Sequence, residues 1–89
     1  MQLSVTIEIW DKENWFLAKI PELDFITQGR TIEEAKKNLF EVVQIQFEEM
    51  KRTGTLDDFL DECGFILNGD IMKQEKEIVR FEKELLQVA

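Results

Sequence analysis

Residues 15–41, WFLAKIPELDFITQGRTIEEAKKNLFE, hold most of the local signals that decide the fold of this 89-residue chain. Residues 15–20 have the aromatic and branched content of a strand, and Pro21 ends it because proline donates no hydrogen bond to a sheet. Residues 25–28 predict a second short strand, and Gly29 supplies a sharp exit from it. The stretch therefore predicts strand, turn, strand and then helix.

A capping box marks the start of the helix, with Thr31 as the N-cap residue and Glu34 three residues later. An apolar stripe follows at helical spacing, and Gly54 ends the helix. The stripe consists of Ala35, Leu39, Val42, Val43 and Met50. Ile32, Ile45 and Phe47 either widen this stripe or form a second patch for a partner. A short second helix is predicted between Thr55 as its cap and Gly64, with Phe59, Leu60 and Cys63 facing inward.

Upstream of this stretch, apolar and polar residues alternate from residue 2 to residue 9, which predicts one strand with a single buried face. Its inward residues are Leu3, Val5, Ile7 and Ile9. Residues 10–14 form a polar turn, in which Asn14 best tolerates a left-handed backbone. This strand and residues 15–20 make an antiparallel hairpin.

The C-terminal part predicts a second hairpin, because residues 65–67 are apolar and Asn68-Gly69 is a strong turn signal. Residues 77–88 fit both the helical and the strand period. The β-branched and aromatic run at residues 78–81 favours a strand, and a helix stays open.

Together these elements predict an α+β fold with a three-stranded antiparallel sheet backed by one long helix, in the order β-β-β-α. A short helix and a C-terminal hairpin or strand complete it. The length allows a single domain over residues 1–89. Residues 1–54 are its core, residues 55–89 are an acidic helix and a C-terminal extension, and no separate DNA-binding domain is expected.

Composition narrows the class of protein. The net charge of −8 argues against direct nucleic-acid binding, which needs Lys and Arg to neutralise phosphates. The alternating N-terminus is unlike a signal peptide, and no apolar run reaches the ~18 residues of a membrane span. The single cysteine cannot form an internal disulfide. These features predict a cytoplasmic protein.

Half of the net charge lies in residues 55–63, which contain four acids and no base. We name these four residues the acidic cluster: Asp57, Asp58, Asp61 and Glu62. A basic partner protein would complement this charge. A solvated helix face that keeps the chain soluble explains the same pattern equally well.

Several short motifs occur in an order that resembles the HicB-type antitoxins, over roughly residues 3–50. The matching residues are Asp11, Glu13 and Trp15; Pro21, Glu22 and Leu23; Thr27, Gln28 and Gly29; and Thr31, Glu33, Glu34, Ala35, Asn38 and Glu41. Asn14 stands where the family usually has Gly, and residues 24–26 replace its usual Pro-Gly-Cys. About 25 residues follow Gly64, too few and too acidic for the DNA-binding domain that many members carry.

The resemblance implies a solo HicB domain with a partial ribonuclease-H-like fold and no catalytic activity. Such antitoxins bind and neutralise a small basic HicA-type ribonuclease toxin. The predicted partner-binding residues are Trp10, Trp15, Leu17 and Glu22, together with Asp57, Asp58, Asp61 and Glu62. Trp15 has an alternative role in packing across the sheet, whereas Trp10 is expected at an exposed turn.

Catalytic chemistry has little support in the sequence. The chain has no histidine, and Cys63 is surrounded by acids that disfavour a thiolate. Ser4 lies in a strand with no base nearby. A two-metal nuclease would need clustered carboxylates, for which Glu8, Glu22, Asp24 and Glu41 are the candidates. We therefore predict no catalytic residue, cofactor or metal.

A second class of function is an orphan homo-oligomeric interaction module without a toxin partner. The thin core and the free strand edges expected for this fold favour a homodimer or a higher oligomer. In that arrangement residues 77–88 pair across subunits.

Overall fold

The computed structural model describes residues 2–88 and has the predicted α+β architecture, with one three-stranded antiparallel sheet and one long helix. The strands are β1 (Gln2–Leu3), β2 (Glu8–Lys12), β3 (Trp15–Ile20), β4 (Phe25–Gly29), β5 (Phe65–Asn68) and β6 (Ile71–Gln74). The helices are α1 (Ile32–Thr53) and α2 (Leu56–Glu62). The strands form two sheets, in the orders β2-β3-β4 and β1-β6-β5.

The β2–β3 hairpin has its turn later than the sequence predicts. Lys12 pairs with Trp15, so only two residues connect the strands, and residues 10–12 belong to β2. The expectation of a polar turn over residues 10–14 is therefore wrong. The left-handed residue is Glu13, with φ 56°, and not Asn14. A positive φ at the first turn position matches the right-handed twist of the flanking strands.

The predicted N-terminal strand is also wrong as a single element, because it breaks between β1 and β2. The Thr6 amide donates one bifurcated hydrogen bond to the Glu22 carboxylate, to Oε1 at 3.0 Å and to Oε2 at 2.9 Å. The Thr6 hydroxyl donates a second bond to Oε2 at 2.7 Å. Upstream, the Ser4 amide bonds to the carbonyl of Met72 at 2.8 Å, and β1 runs parallel to β6. The residues of the alternating pattern thus belong first to the β1-β6-β5 sheet and then to the β2-β3-β4 sheet.

Helix α1 begins and ends where the sequence predicts. The Thr31 hydroxyl accepts a hydrogen bond from the Glu34 amide at 3.0 Å, which satisfies one of the free N–H groups of the first turn. At the other end Gly54 adopts a left-handed φ of 73° and closes the helix.

Gly29 is needed for a reason other than a sharp exit. A Cβ at this position would lie 2.5 Å from the Ala35 amide nitrogen and 2.9 Å from the Glu34 carbonyl carbon. The missing side chain therefore lets β4 approach the backbone of α1. Thr27 donates to the Ala35 carbonyl at 2.9 Å, and Asn38 donates to the Gln28 carbonyl at 2.9 Å, which ties the two elements together.

The core lies between the β2–β4 sheet, α1 and α2. Its buried members are Ala18, Ile20, Leu23, Ala35, Leu39, Leu56, Leu60 and Phe65. Phe59 of α2 is only half-buried, with its ring stacked on Phe25 at 6.1 Å between centroids and edge-on to Phe47 at 6.4 Å. Thr55 precedes α2 but its hydroxyl makes no capping bond. Instead it lies 3.0 Å from the hydroxyl of Thr53.

The predicted second hairpin is confirmed and consists of β5 and β6. Its turn is at Gly69-Asp70, one residue later than the predicted Asn68-Gly69. Beyond it, residues 77–88 form neither a strand nor a helix. The expectation of a strand there is wrong for the isolated chain, because no strand among residues 2–88 pairs with this segment through a ladder of hydrogen bonds.

Candidate protein-binding face

The β2–β4 sheet has one face covered by α1 and one face that is uncovered. Ala18 and Ile20 point to α1 and are fully buried, so their neighbours along β3 point the other way. The strand register aligns Trp10 with Leu17, and Leu17 with Gln28. We name this uncovered surface the open face. It consists of Glu8, Trp10, Lys12, Trp15, Leu17, Lys19, Ile26 and Gln28.

Large apolar side chains dominate the open face. Trp10 and Ile26 are each 56% exposed, and Trp15 is 38% exposed. Leu17 lies between them and is half-buried. Contiguous exposed apolar surface of this kind is typical of interaction sites, and tryptophan is the residue most enriched among those that contribute strongly to binding.

Both tryptophan rings have polar or charged neighbours that restrict them. The Trp10 Nε1–H donates to Glu8 Oε1 at 3.2 Å. The Arg30 guanidinium lies 5.2 Å from the centroid of the Trp15 ring, a cation–π contact. Rings held in this way lose little conformational entropy when a partner binds. Trp15 therefore combines the packing role with partial exposure, while Trp10 projects from the middle of β2.

The charge around the open face differs in sign from that of the whole chain. Lys12, Lys19 and Arg30 outnumber Glu8 there, while the chain carries −8. Lys19 also lies 3.7 Å from Asp24, in an ion pair at the surface. The open face is thus apolar and weakly basic.

The acidic cluster is on the other side of the molecule. Phe59 stacks on Phe25, and Phe25 pairs with Ile20 on the side of the sheet that packs on α1. Helix α2 therefore lies on the covered side, with Asp57, Asp58, Asp61 and Glu62 exposed. The structure does not bring the acidic cluster and the tryptophans into one site.

Glu22 has a structural role that the sequence does not reveal. Its carboxylate accepts hydrogen bonds from the amide and the hydroxyl of Thr6, which stabilise the crossing between the two sheets. Glu22 was predicted as a partner-binding residue. Because its carboxylate makes this internal contact, we leave it out of the open face. By contrast, Ile26 belongs to the open face and Arg30 lies beside it against Trp15, and neither was among the predicted partner-binding residues. The alternation along β4, with Phe25 inward and Ile26 outward, was the available signal.

A second exposed apolar region lies on α1, where a shallow depression of about 440 Å³ is lined mainly by residues of its first three turns. Ile32 and Phe40 supply its apolar surface, and Lys36 and Lys37 flank it. Of the residues predicted either to widen the apolar stripe or to form a second patch, Ile32 lines this depression, whereas Phe47 packs against the core.

The carboxylates considered as metal ligands do not converge. Glu8 bonds to Trp10, Glu22 to Thr6, and Asp24 lies beside Lys19. Within residues 2–88 there is no group of three or more acidic, cysteine or histidine side chains that could hold a metal ion.

Cys63 is half-buried at the end of α2. Burial raises the pKa of its thiol, and the charge of Glu62 raises it further. Both effects disfavour the thiolate that a nucleophile requires.

Comparison with family models, curated proteins and solved structures found no match to this chain. The likeness to HicB-type antitoxins therefore stays a prediction from its motifs. Within the described residues, neither helix has the length and apolar character to cross a membrane.

Proposed function

We propose that this chain is a non-catalytic antitoxin-type protein that binds a small basic ribonuclease toxin through the open face. The observation that supports it most is the exposure of Trp10, Trp15 and Ile26 on one side of a sheet whose other side packs on α1. A sheet face of this composition is stabilised when another protein covers it. The cytoplasm, where such a toxin meets RNA, is the proposed location.

The net charge of the chain favours a basic partner, whereas the weakly basic charge of the open face itself does not. The net charge of −8 attracts a basic protein over distances of roughly a Debye length. The acidic cluster contributes half of this charge from the covered side of the sheet. The tryptophans then supply the contact area. In this proposal the acidic cluster controls the rate of association, and the open face controls the rate of dissociation.

The test is co-expression with the small basic protein encoded beside this chain, followed by co-purification and a growth assay. A complex that relieves toxicity supports the antitoxin function. Trp10→Ala should then accelerate dissociation by about tenfold or more, because one buried aromatic anchor is worth about 1.4 kcal/mol or more. The matched control is Phe40→Ala, which removes a similarly exposed aromatic ring from α1.

A second arm tests the role of the acidic cluster. Reversing Asp57, Asp58, Asp61 and Glu62 to Lys should slow association and weaken its dependence on salt, with dissociation unchanged. If the reversal instead accelerates dissociation while Trp10→Ala has no effect, the contact surface is α2 and the proposed binding face is wrong.

A further inference from the structure

The segment after β6 exposes an unusual amount of apolar side chain. We name residues 77–88 the tail. Val79, Leu85, Leu86 and Val88 are nearly fully exposed, and Phe81 is 62% exposed. None of them belongs to the core or packs against it. A short segment with this many uncovered apolar groups is stabilised by burial against another surface.

The accessible area and the radius of gyration show that the chain exposes more surface than a compact domain of the same size. Its accessible area is 7359 Å², whereas a compact monomer of 10.6 kDa exposes about 5,500 Å². The radius of gyration is 15.5 Å, against about 12 Å for a compact 89-residue domain. If a dimer buried the excess of about 1,900 Å² on each copy, the interface would have the size of an obligate homodimer.

Of the four outer strand edges in the two sheets, the edge of β5 is the least protected, since β1 is only two residues long. Helix α1 covers part of the edge of β4, where Asn38 bonds to the Gln28 carbonyl, and β2 carries charged residues. By contrast β5 reads FILN, with no charge and no proline, and its outer edge pairs with no strand among residues 2–88. Ile66 and Leu67 on it are 50% and 67% exposed. Bare apolar edges of this kind readily accept another strand.

The register of the hairpin shows which groups of β5 are free. A two-residue turn joins Asn68 to Ile71, so these residues exchange hydrogen bonds, and so do Ile66 and Lys73 two positions on. The bond from the Glu75 amide to the Gly64 carbonyl at 3.1 Å continues the same alternation. The amides and carbonyls of Phe65 and Leu67 therefore point outward.

The tail does not reach this edge in its own chain easily. Glu75 is still bonded within the ladder, so only residues 76 and 77 remain before the proposed strand at residues 78–81. They would have to step over β5, about 10 Å or two strand spacings, and reverse direction. A tail from another molecule has no such restriction.

We propose that the tail is an exchanged strand, which adds to the outer edge of β5 in a second copy of this chain. Residues 78–81, Ile-Val-Arg-Phe, match β5 in length and have strong strand propensity. Because each copy has one tail and one β5 edge, two reciprocal contacts close a symmetric dimer. The open face takes no part in these contacts, so the two proposals fail or succeed independently.

The first test is the mass of the full chain in solution by sedimentation equilibrium. The expected mass is twice 10.6 kDa. The double variant Val79→Glu and Phe81→Glu should halve it while the helical signal in the circular dichroism spectrum stays unchanged, which shows that the chain still folds. The double variant Phe40→Glu and Ile45→Glu, which adds the same two negative charges at exposed apolar residues of α1, should stay dimeric. A wild-type chain that is monomeric up to millimolar concentration overturns the proposal, and so does a tail variant that remains a dimer.

The second test separates strand exchange from non-specific association. Leu67→Pro removes an outward amide and leaves the bonds to β6 in place, so this variant donates a tail and accepts none. The Val79→Glu and Phe81→Glu variant accepts a tail and donates none. Each alone should be monomeric, and a mixture should form a 1:1 complex. A mixture that stays monomeric although both spectra are native contradicts the exchange.

Discussion

Glu22 shows how much one carboxylate contributes to this fold. It holds the Thr6 amide and hydroxyl at the point where the chain leaves the β1–β6–β5 sheet and enters the β2–β4 sheet. A hydrogen bond to a charged group is worth about 1.5–3 kcal/mol, more than a neutral one. The crossing between the two sheets therefore depends on a residue that the motif pattern placed at a binding surface.

Glu22→Gln should destabilise the chain by about 1–2 kcal/mol, because the neutral amide keeps one acceptor oxygen and loses the charge-assisted bonds. The measurement is the free energy of unfolding from a urea titration. Glu41→Gln makes the same chemical change on the exposed side of α1 and should shift stability by less than about 0.5 kcal/mol. Equal effects of the two substitutions would show that the Thr6 contact contributes nothing.

The thiol of Cys63 provides a second prediction about a single residue. Because burial and Glu62 raise its pKa, the folded chain has less thiolate at pH 8 than a free cysteine peptide. Alkylation by iodoacetamide at pH 8 should therefore be slower in the folded chain than in the urea-unfolded chain, and the difference should narrow as the pH rises. Equal rates in both states at pH 8 would contradict this description of the site.

Among the elements, β4 and α1 approach each other closely at Gly29. Gly29 permits it, and the side chains of Thr27 and Asn38 bond across it. Helix α1 packs against one side of β3 and β4, so this contact determines which side of the sheet becomes the open face.

Gly29→Ala should destabilise the chain by about 2 kcal/mol or more, because the added methyl group meets helix backbone, which cannot move aside cheaply. The midpoint of thermal unfolding measures it. The control is Gln28→Ala at the neighbouring exposed position, which should change stability by less than about 0.5 kcal/mol. A Gly29→Ala chain as stable as the wild type would mean that β4 and α1 have room to separate.

The elements also show where sequence reasoning succeeds. The ends of α1 follow from Thr31 and Gly54, since caps are local features that neighbouring residues determine. The break between β1 and β2 could not be predicted in this way, because it depends on Glu22, sixteen residues from Thr6. The tryptophans of the open face were predicted from the sequence. The alternation along β4 also indicates Ile26, whereas Arg30 became evident only from its contact with the Trp15 ring.

At the scale of the whole molecule, the chain is elongated, with extents of 51 × 29 × 21 Å. Three features are separated on it: the open face, the acidic cluster behind the sheet, and the tail. Because they do not overlap, a single dimer formed by the tails can present two open faces and still attract basic partners. The proposed complex is thus two antitoxin chains with one toxin on each.

The most direct test of the binding face is the co-expression experiment with paired variants. We expect the small basic protein encoded beside this chain to co-purify with the wild type and with Phe40→Ala. Its affinity for Trp10→Ala should be at least about tenfold weaker, which corresponds to about 1.4 kcal/mol. A complex that forms equally well with Trp10→Ala, or a basic neighbour that does not bind the wild type, would contradict the proposed function of the open face.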